Sequence, residues 1–273
     1  MDLNMKLAFS TLGCPGWSFE DILSTSKDAG FNGVEIRGIE NELYAPNCKA
    51  FLPDNIEKTI LKLKSLNLEI PMLASGACLG VREGIKSAET EAKDYIDLAQ
   101  KLDARYVRVM VTGNTFVEAA DLELLIKEYT DLCDYAKDKG VIPLLETNGV
   151  LADTTVMADV MDRTNRENSG VLWDIHHPYR YFNESPNQSI KNLGSRIKYI
   201  HVKDSVVQNG EISYRMIGYG NMPIFDAVKA LKDNGYDGYI SLEWVKRWCP
   251  DLQEPGIVFS HYINFMEYLF TQL

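Results

Sequence analysis

Cysteine pairs, excess positive charge, long apolar runs and glycine-rich fingerprints are all missing from this 273-residue sequence. The five cysteines, Cys14, Cys48, Cys78, Cys133 and Cys249, are odd in number and widely scattered, with no C-x-x-C pair. That excludes a disulfide framework and leads to the expectation of reduced thiols in a cytoplasmic protein. Lys and Arg total 28 against 39 Asp and Glu, a formal net charge of -11. Such a balance offers nucleic acid no general attraction, although it leaves room for a local basic patch. No stretch approaches the roughly 18 consecutive apolar residues of a membrane span, so no membrane partner is expected. The opening "MDLNMKLAFSTLG" lacks a basic segment followed by a long apolar run, and no signal peptide is expected. The turn "TLGCPGWS" lacks the G-x-G-x-x-G spacing of a dinucleotide-binding crevice. No Pro- or Ser-rich linker divides the chain, which reads as a single domain over residues 1–273.

What is present is a repeated alternation. Short apolar runs ("KLAFST", "GVEIR", "EIPMLAS", "YVRVMV", "VIPLLET", "GVLWDI", "IKYIHV" and "YISLEW") are each followed by a polar loop and an amphipathic segment. "SFEDILSTSKDAG" opens on Ser18-x-x-Asp21, a helix cap, and closes on Gly30. "NIEKTILKLKSLN" repeats its apolar residues close to every 3.6 positions. Strands alternating with helices pair in parallel, because each crossover helix must cover a sheet face. Eight such units in about 250 residues predict an α/β fold, a closed (β/α)8 TIM barrel.

Active sites of such barrels form where strands end and βα loops begin. The fifth candidate strand ends in Glu146, the sixth in Asp174, the seventh in His201 and the eighth in Glu243. Neighbouring strands lie about 4.8 Å apart, so four adjacent ends can aim at one point. Three carboxylates that close repel one another, and a bound cation removes that cost. Three carboxylates and one imidazole suit one divalent metal ion, Mn or Mg first, with Co or Zn as alternatives.

The stretch "VLWDIHHPYR" holds two of the chain's four histidines. If the strand continued past Asp174, alternation would place His176 on the same face, but Pro178 stops any regular strand soon after.

The ordered set "LLETN", "WDIHH", "YIHVKDS" with "IGYGNMPI", and "YISLEW" resembles the xylose isomerase-like TIM-barrel superfamily. Within it the chain is similar to the sugar phosphate isomerase/epimerase group, which includes tagatose/psicose 3-epimerases, inosose dehydratase and hydroxypyruvate isomerase. The resemblance implies that Glu146, Asp174, His201 and Glu243 bind the metal. It implies that Glu146 and Glu243 flank a substrate carbon and move its proton through a cis-enediolate, in a divalent-metal-dependent isomerase or epimerase of a carbohydrate-like small molecule. Expulsion of a β-hydroxyl, as in a dehydratase, shares the same first step. The resemblance also implies that His177, three residues after Asp174, contacts substrate oxygens.

Further substrate-site candidates follow. Glu35 ends the second strand and could hydrogen-bond substrate or a neighbouring loop. The resemblance often places a substrate-contacting arginine in the long loop after the seventh strand, here Arg215. Lys203 could reach the site from the same strand end. Trp17, Tyr219 and Trp244 could wall a sugar ring. "GYG" at 218–220 could cradle a phosphate, a turn being the default reading. His261 reads as structural. An endonuclease IV-like role needs further histidines that "LASGACLG" and "KDSVVQNGEISYRMIGYG" do not supply. A non-catalytic ligand-binding barrel would be expected to lose Glu146 or Glu243. The resemblance leaves a homo-oligomer open.

Overall fold

Side-chain alternation decides the sheet. In "YVRVMV" the valines Val107, Val109 and Val111 pack outward under the helices, while Tyr106, Arg108 and Met110 occupy the opposite face. A computed structural model describes residues 4–82, 84–114 and 119–273. Residues 1–3 of the expected 1–273 domain and of its opening segment lie outside the described residues.

Eight strands pair in parallel: β1 (Lys6–Ser10), β2 (Gly33–Glu35), β3 (Met72–Cys78), β4 (Tyr106–Met110), β5 (Ile142–Glu146), β6 (Gly170–Asp174), β7 (Ile197–Val202) and β10 (Tyr239–Leu242). Their order is β2-β1-β10-β7-β6-β5-β4-β3. The two ends meet through bridges of Gly33 with Glu69 and Ile36 with Leu73. There the Val34 N–H donates to Glu69 O at 2.9 Å and the Ala74 N–H to Ile36 O at 2.8 Å. The eight strands thus form a nearly closed TIM barrel, as the alternation predicts.

The helices α1 (Phe19–Ala29), α2 (Ile56–Leu66), α3 (Ile85–Leu102), α4 (Leu122–Ala136), α5 (Thr154–Thr164), α6 (His176–Phe182), α7 (Pro186–Leu193), α8 (Ile224–Asp233) and α9 (Pro255–Thr271) accompany the strands. The expected Ser18 and Asp21 capping box opens α1, and Gly30 closes it at φ +87°. Helix α4 buries Leu125, Tyr129, Leu132, Cys133 and Ala136. The Tyr129 hydroxyl donates to Pro143 O at 2.8 Å and accepts from the Gly170 N–H at 3.0 Å, which fixes β5 beside β6.

Inside the barrel, Ala8, Met72, Leu144, Leu172, Tyr199 and Tyr239 form a second apolar cluster. Gly170 is required beside it, because a β-carbon there would come within 2.8 Å of Leu144 Cδ2 and 2.6 Å of Lys198 Cγ. Two residues beyond Tyr106, Leu144, Leu172 and Tyr199, on the same inward face, stand Arg108, Glu146, Asp174 and His201. An apolar floor therefore carries a layer of charge directly above it.

Two local features depart from expectation. Strand β6 stops at Asp174, one residue short of "GVLWDI", and α6 begins at His176. The long segment after β7 contains an antiparallel hairpin, β8 (Asp204–Gln208) with β9 (Glu211–Arg215). Asp204 anchors it by accepting from the N–H groups of Ser205, Gly218, Gly220 and Met222 at 2.8 to 3.1 Å. The "GYG" turn therefore surrounds a carboxylate of this chain. A β-carbon at Gly220 would lie 2.0 Å from Asp204 Oδ1. No helix among the described residues is long and apolar enough to cross a membrane.

Candidate active site

Glu146, Asp174, His201 and Glu243 converge. Each is buried and offers one ligand atom, and these atoms all lie within 4.8 Å of one another. Backbone pairing sets the geometry. Asp174 stands opposite His201 in the β6–β7 register, and the Glu243 N–H donates to Val202 O at 3.0 Å. Asp174 is fixed further by Thr147, whose Oγ1 accepts from the Asp174 N–H at 2.9 Å. Its Oδ1 accepts from the His176 N–H at 2.8 Å.

Glu35, expected as a substrate contact or a loop partner, is fully buried behind His201. Its Oε2 accepts from His201 Nε2 at 2.8 Å and from the Ser241 hydroxyl at 2.9 Å. That bond places a proton on Nε2 and turns Nδ1 toward the acids. Nδ1 lies 3.6 Å from Glu146 Oε1 and 3.5 Å from Glu243 Oε1. Among the described residues, neither His201 Nδ1 nor Glu146 Oε2 has a hydrogen-bond partner, although both are buried. Buried polar atoms left this way are uncommon. A hard or borderline divalent cation fits this donor set, with Nδ1 and the three carboxylates as its ligands.

Two cations inside the site balance part of the negative charge, and one of them was not anticipated. Arg108 Nη1 lies between Glu146 Oε2 at 3.4 Å and Glu243 Oε1 at 3.5 Å. Its Nη2 donates to Ser75 O at 2.9 Å. Lys203 Nζ donates to Asp174 Oδ2 and to Glu243 Oε2. Burial raises the Glu146 carboxyl, but the Arg108 guanidinium and His201 overcome it and hold it at about 2. Glu243 is buried too, and Lys203, His201 and Arg108 keep it below the ordinary carboxylate range. Burial disfavours the Lys203 charge, yet Asp174 and Glu243 raise its pKa well above the usual value. Both glutamates are therefore ionised at neutral pH.

A cavity of about 200 Å³ opens over this layer. Glu146, Glu243, Lys203 and His177 line it, with Arg37, Tyr214 and Trp248 at its wall. His177 Nδ1 donates to Thr147 O at 3.0 Å, which leaves Nε2 facing inward, 3.7 Å from Asp174 Oδ2. His176 is buried against Ser205 Oγ at 3.0 Å. The other expected contacts lie elsewhere. Arg215 belongs to the hairpin, with its guanidinium on Ser213 Oγ, Tyr214 O and Gln208 Oε1. Trp17 packs edge-on against Phe259, and Trp244 is buried with its Nε1 on Gln253 O. Tyr219 is exposed and tilts against His261, whose Nε2 meets Ile217 O at 2.7 Å.

A family model described as xylose isomerase-like TIM barrel matches residues 23–260. The chain is 22% identical over 270 residues to a fructoselysine 3-epimerase of Escherichia coli O157:H7, covering 93% of this chain and 94% of that protein. It is 21% identical to an inosose dehydratase of Clostridium perfringens, covering 83% of this chain and 82% of the other. Among solved structures, D-psicose 3-epimerase from Clostridium cellulolyticum H10, crystallised with D-tagatose, superposes with a TM-score of 0.76. That likeness is 18% identical and covers 97% of this chain and 99% of the other.

Proposed function

Because the chain belongs to the xylose isomerase-like TIM-barrel family, we propose that it is a divalent-metal-dependent isomerase or epimerase of a sugar, polyol or keto acid, built as one domain over residues 1–273. The observation that carries this reading is the pair Glu146 and Glu243, ionised and facing one another across Arg108 Nη1 beside Asp174 and His201. An epimerase and a dehydratase among the relatives support it.

Bound to the four residues, a divalent ion such as Mn or Mg would polarise a carbonyl and its neighbouring hydroxyl and acidify the adjacent C–H. The chain's own groups do the rest. A carbon seated between the two glutamates has a carboxylate on each side. One glutamate takes its proton. The other, ionised in the free site, takes up a proton from solvent as substrate binds and delivers it from the opposite side, which gives the epimer. Return to the neighbouring carbon gives the isomer. Glu146 Oε2 suits the base role, because no hydrogen bond occupies it. Arg108 keeps its proton throughout and stabilises the negative charge that builds between the acids. His177 Nε2 is placed to contact a substrate oxygen. Lys203 holds Asp174 and Glu243 in place.

Nuclear magnetic resonance in deuterated water, with Mn present, tests the proposal over ketoses, inososes and small keto acids. Solvent deuterium entering one carbon-bound position is the expected result. Loss of a β-hydroxyl in the product would favour the dehydratase reading, which the Clostridium perfringens relative supports. No exchange with any of these compounds would sink both.

Glu35 supplies a further prediction. A carboxylate behind a metal-ligating histidine fixes its tautomer, and its loss typically costs 10- to 100-fold in metal affinity. Glu35→Gln should weaken Mn binding by about that factor in a calorimetric titration. Unchanged affinity would remove Glu35 from this role.

A further inference from the structure

Among the described residues, one cation at the cavity wall has no ion-pair partner of its own. Arg37 follows β2 and lines the same cavity as Glu146 and Glu243. Arg108 lies between two carboxylates, and Lys203 holds two more contacts of that kind. Arg37 Nη1 donates only to a carbonyl, Leu43 O at 3.2 Å, and among the described residues no carboxylate forms an ion pair with its guanidinium. Glu91 acts on it from farther away and is itself engaged by the Gly76 N–H at 2.5 Å. Burial disfavours the Arg37 charge, and the guanidiniums of Arg108 and Arg247 add repulsion. An arginine does not escape such a setting by losing its proton.

The surroundings keep space beside this group. Gly76 also lines the cavity, and a β-carbon there would come within 3.1 Å of Arg37 Nη2. Gly76 does not adopt a positive φ, so clearance is the clearer reason for glycine at this position. Arg247 adds a second positive group, its Nη2 on Glu40 O at 2.7 Å and its buried Nε without a hydrogen-bond partner. This local positive charge runs against the chain's net charge of -11. A planar fork of donors is the side chain best matched to a carboxylate or phosphate.

We infer that Arg37 forms an oxyanion subsite, so that the substrate of this cavity carries a carboxylate or phosphate group, held at the wall while its reacting carbon lies between Glu146 and Glu243. The position of the reacting carbon rests on the proposed proton transfer; the position of the anion does not.

The test compares D-fructose with D-fructose 6-phosphate and with D-fructuronate, on the Mn-loaded protein. Binding is read by calorimetry and turnover by deuterium exchange. At least one anionic compound should exceed fructose in affinity by about tenfold to a hundredfold, the size of a charge-assisted hydrogen bond. Which anion gains separates phosphate from carboxylate. In Arg37→Gln that preference should fall by the same factor, in Kd and KM more than in kcat. Gly76→Ala should reduce it with the charge intact, which guards against a misfolded Arg37 variant. If an anion binds through Arg37 but no compound exchanges a proton, the inference stands and the proton-transfer reading fails. If neither anion binds more tightly than fructose, or if Arg37→Gln keeps the preference, the inference is overturned, whatever the exchange shows.

Discussion

Replacing Glu146 or Glu243 with Gln should lower the rate of epimer formation by about 10³-fold or more, near the upper part of the range for a general acid or base. Gln keeps the volume and one oxygen but cannot carry the proton. The two positions are equivalent in this respect, because one glutamate must accept and the other must donate in every turnover. Each is also a candidate metal ligand, so a loss of rate has two readings. Asp174→Asn separates them. Asp174 lies in the same cluster, but its Oδ1 is held by the His176 N–H, and its Oδ2 receives Lys203. Asp174→Asn should weaken Mn binding and recover much of its rate when Mn is raised to saturation. The two Glu→Gln variants should stay inactive at saturating Mn. Conversion at the wild-type rate in either Glu variant would exclude that residue from proton transfer.

Part of this site is legible in the sequence for a simple reason. In a parallel barrel the inward face repeats every second residue, and a polar residue closing an apolar run stands out. Glu146, Asp174 and His201 follow that rule, two residues beyond Leu144, Leu172 and Tyr199. The same alternation places Arg108 inside, two residues beyond Tyr106, but acids and histidines at strand ends draw attention first. The signal for Arg108 was therefore available in "YVRVMV", where an arginine interrupts alternating valines. The choice between the two histidines had a different obstacle. Strand periodicity holds only while the strand lasts, and α6 begins immediately after β6. The helical turn buries His176 and brings His177 to the cavity wall.

Other parts depend on contacts that no local pattern records. Glu35 meets His201 across 166 positions of sequence, and only barrel closure brings the two together. The hairpin that carries Arg215 away and Tyr214 toward the cavity is organised by Asp204 and its four N–H donors. Trp17 reads as a candidate wall because an aromatic ring suits a sugar ring face, yet Phe259 on the last helix offers it an aromatic partner. For Glu35 and Trp17 the deciding partner is far away in the chain.

Removing divalent metal should leave the protein folded, and adding Mn should raise its thermal midpoint. The charges already present explain why the first half holds. Four buried carboxylates, Glu35, Glu146, Asp174 and Glu243, share their space with Arg108, Lys203 and His201. Burial opposes a charge on His201, but Glu35, Glu243 and Glu146 raise its pKa well above the usual value. Three positive groups thus meet four negative ones, and no unpaired cluster of acids forces the barrel open. The second half follows from linkage. A ligand at a thousandfold excess over its Kd adds about 4 kcal/mol of stability. For a domain of this size that is roughly 8 °C, at about 2 °C per kcal/mol. The pH dependence has a definite sign. His201 Nδ1 can coordinate only after losing its proton. Mn affinity should therefore rise with pH below the raised His201 pKa, by up to about tenfold per unit for one released proton. Scanning calorimetry with chelator and with Mn, at two pH values, reads all of these quantities. Absence of stabilisation by Mn, together with no metal in elemental analysis of the purified protein, would remove the metal from the proposed chemistry.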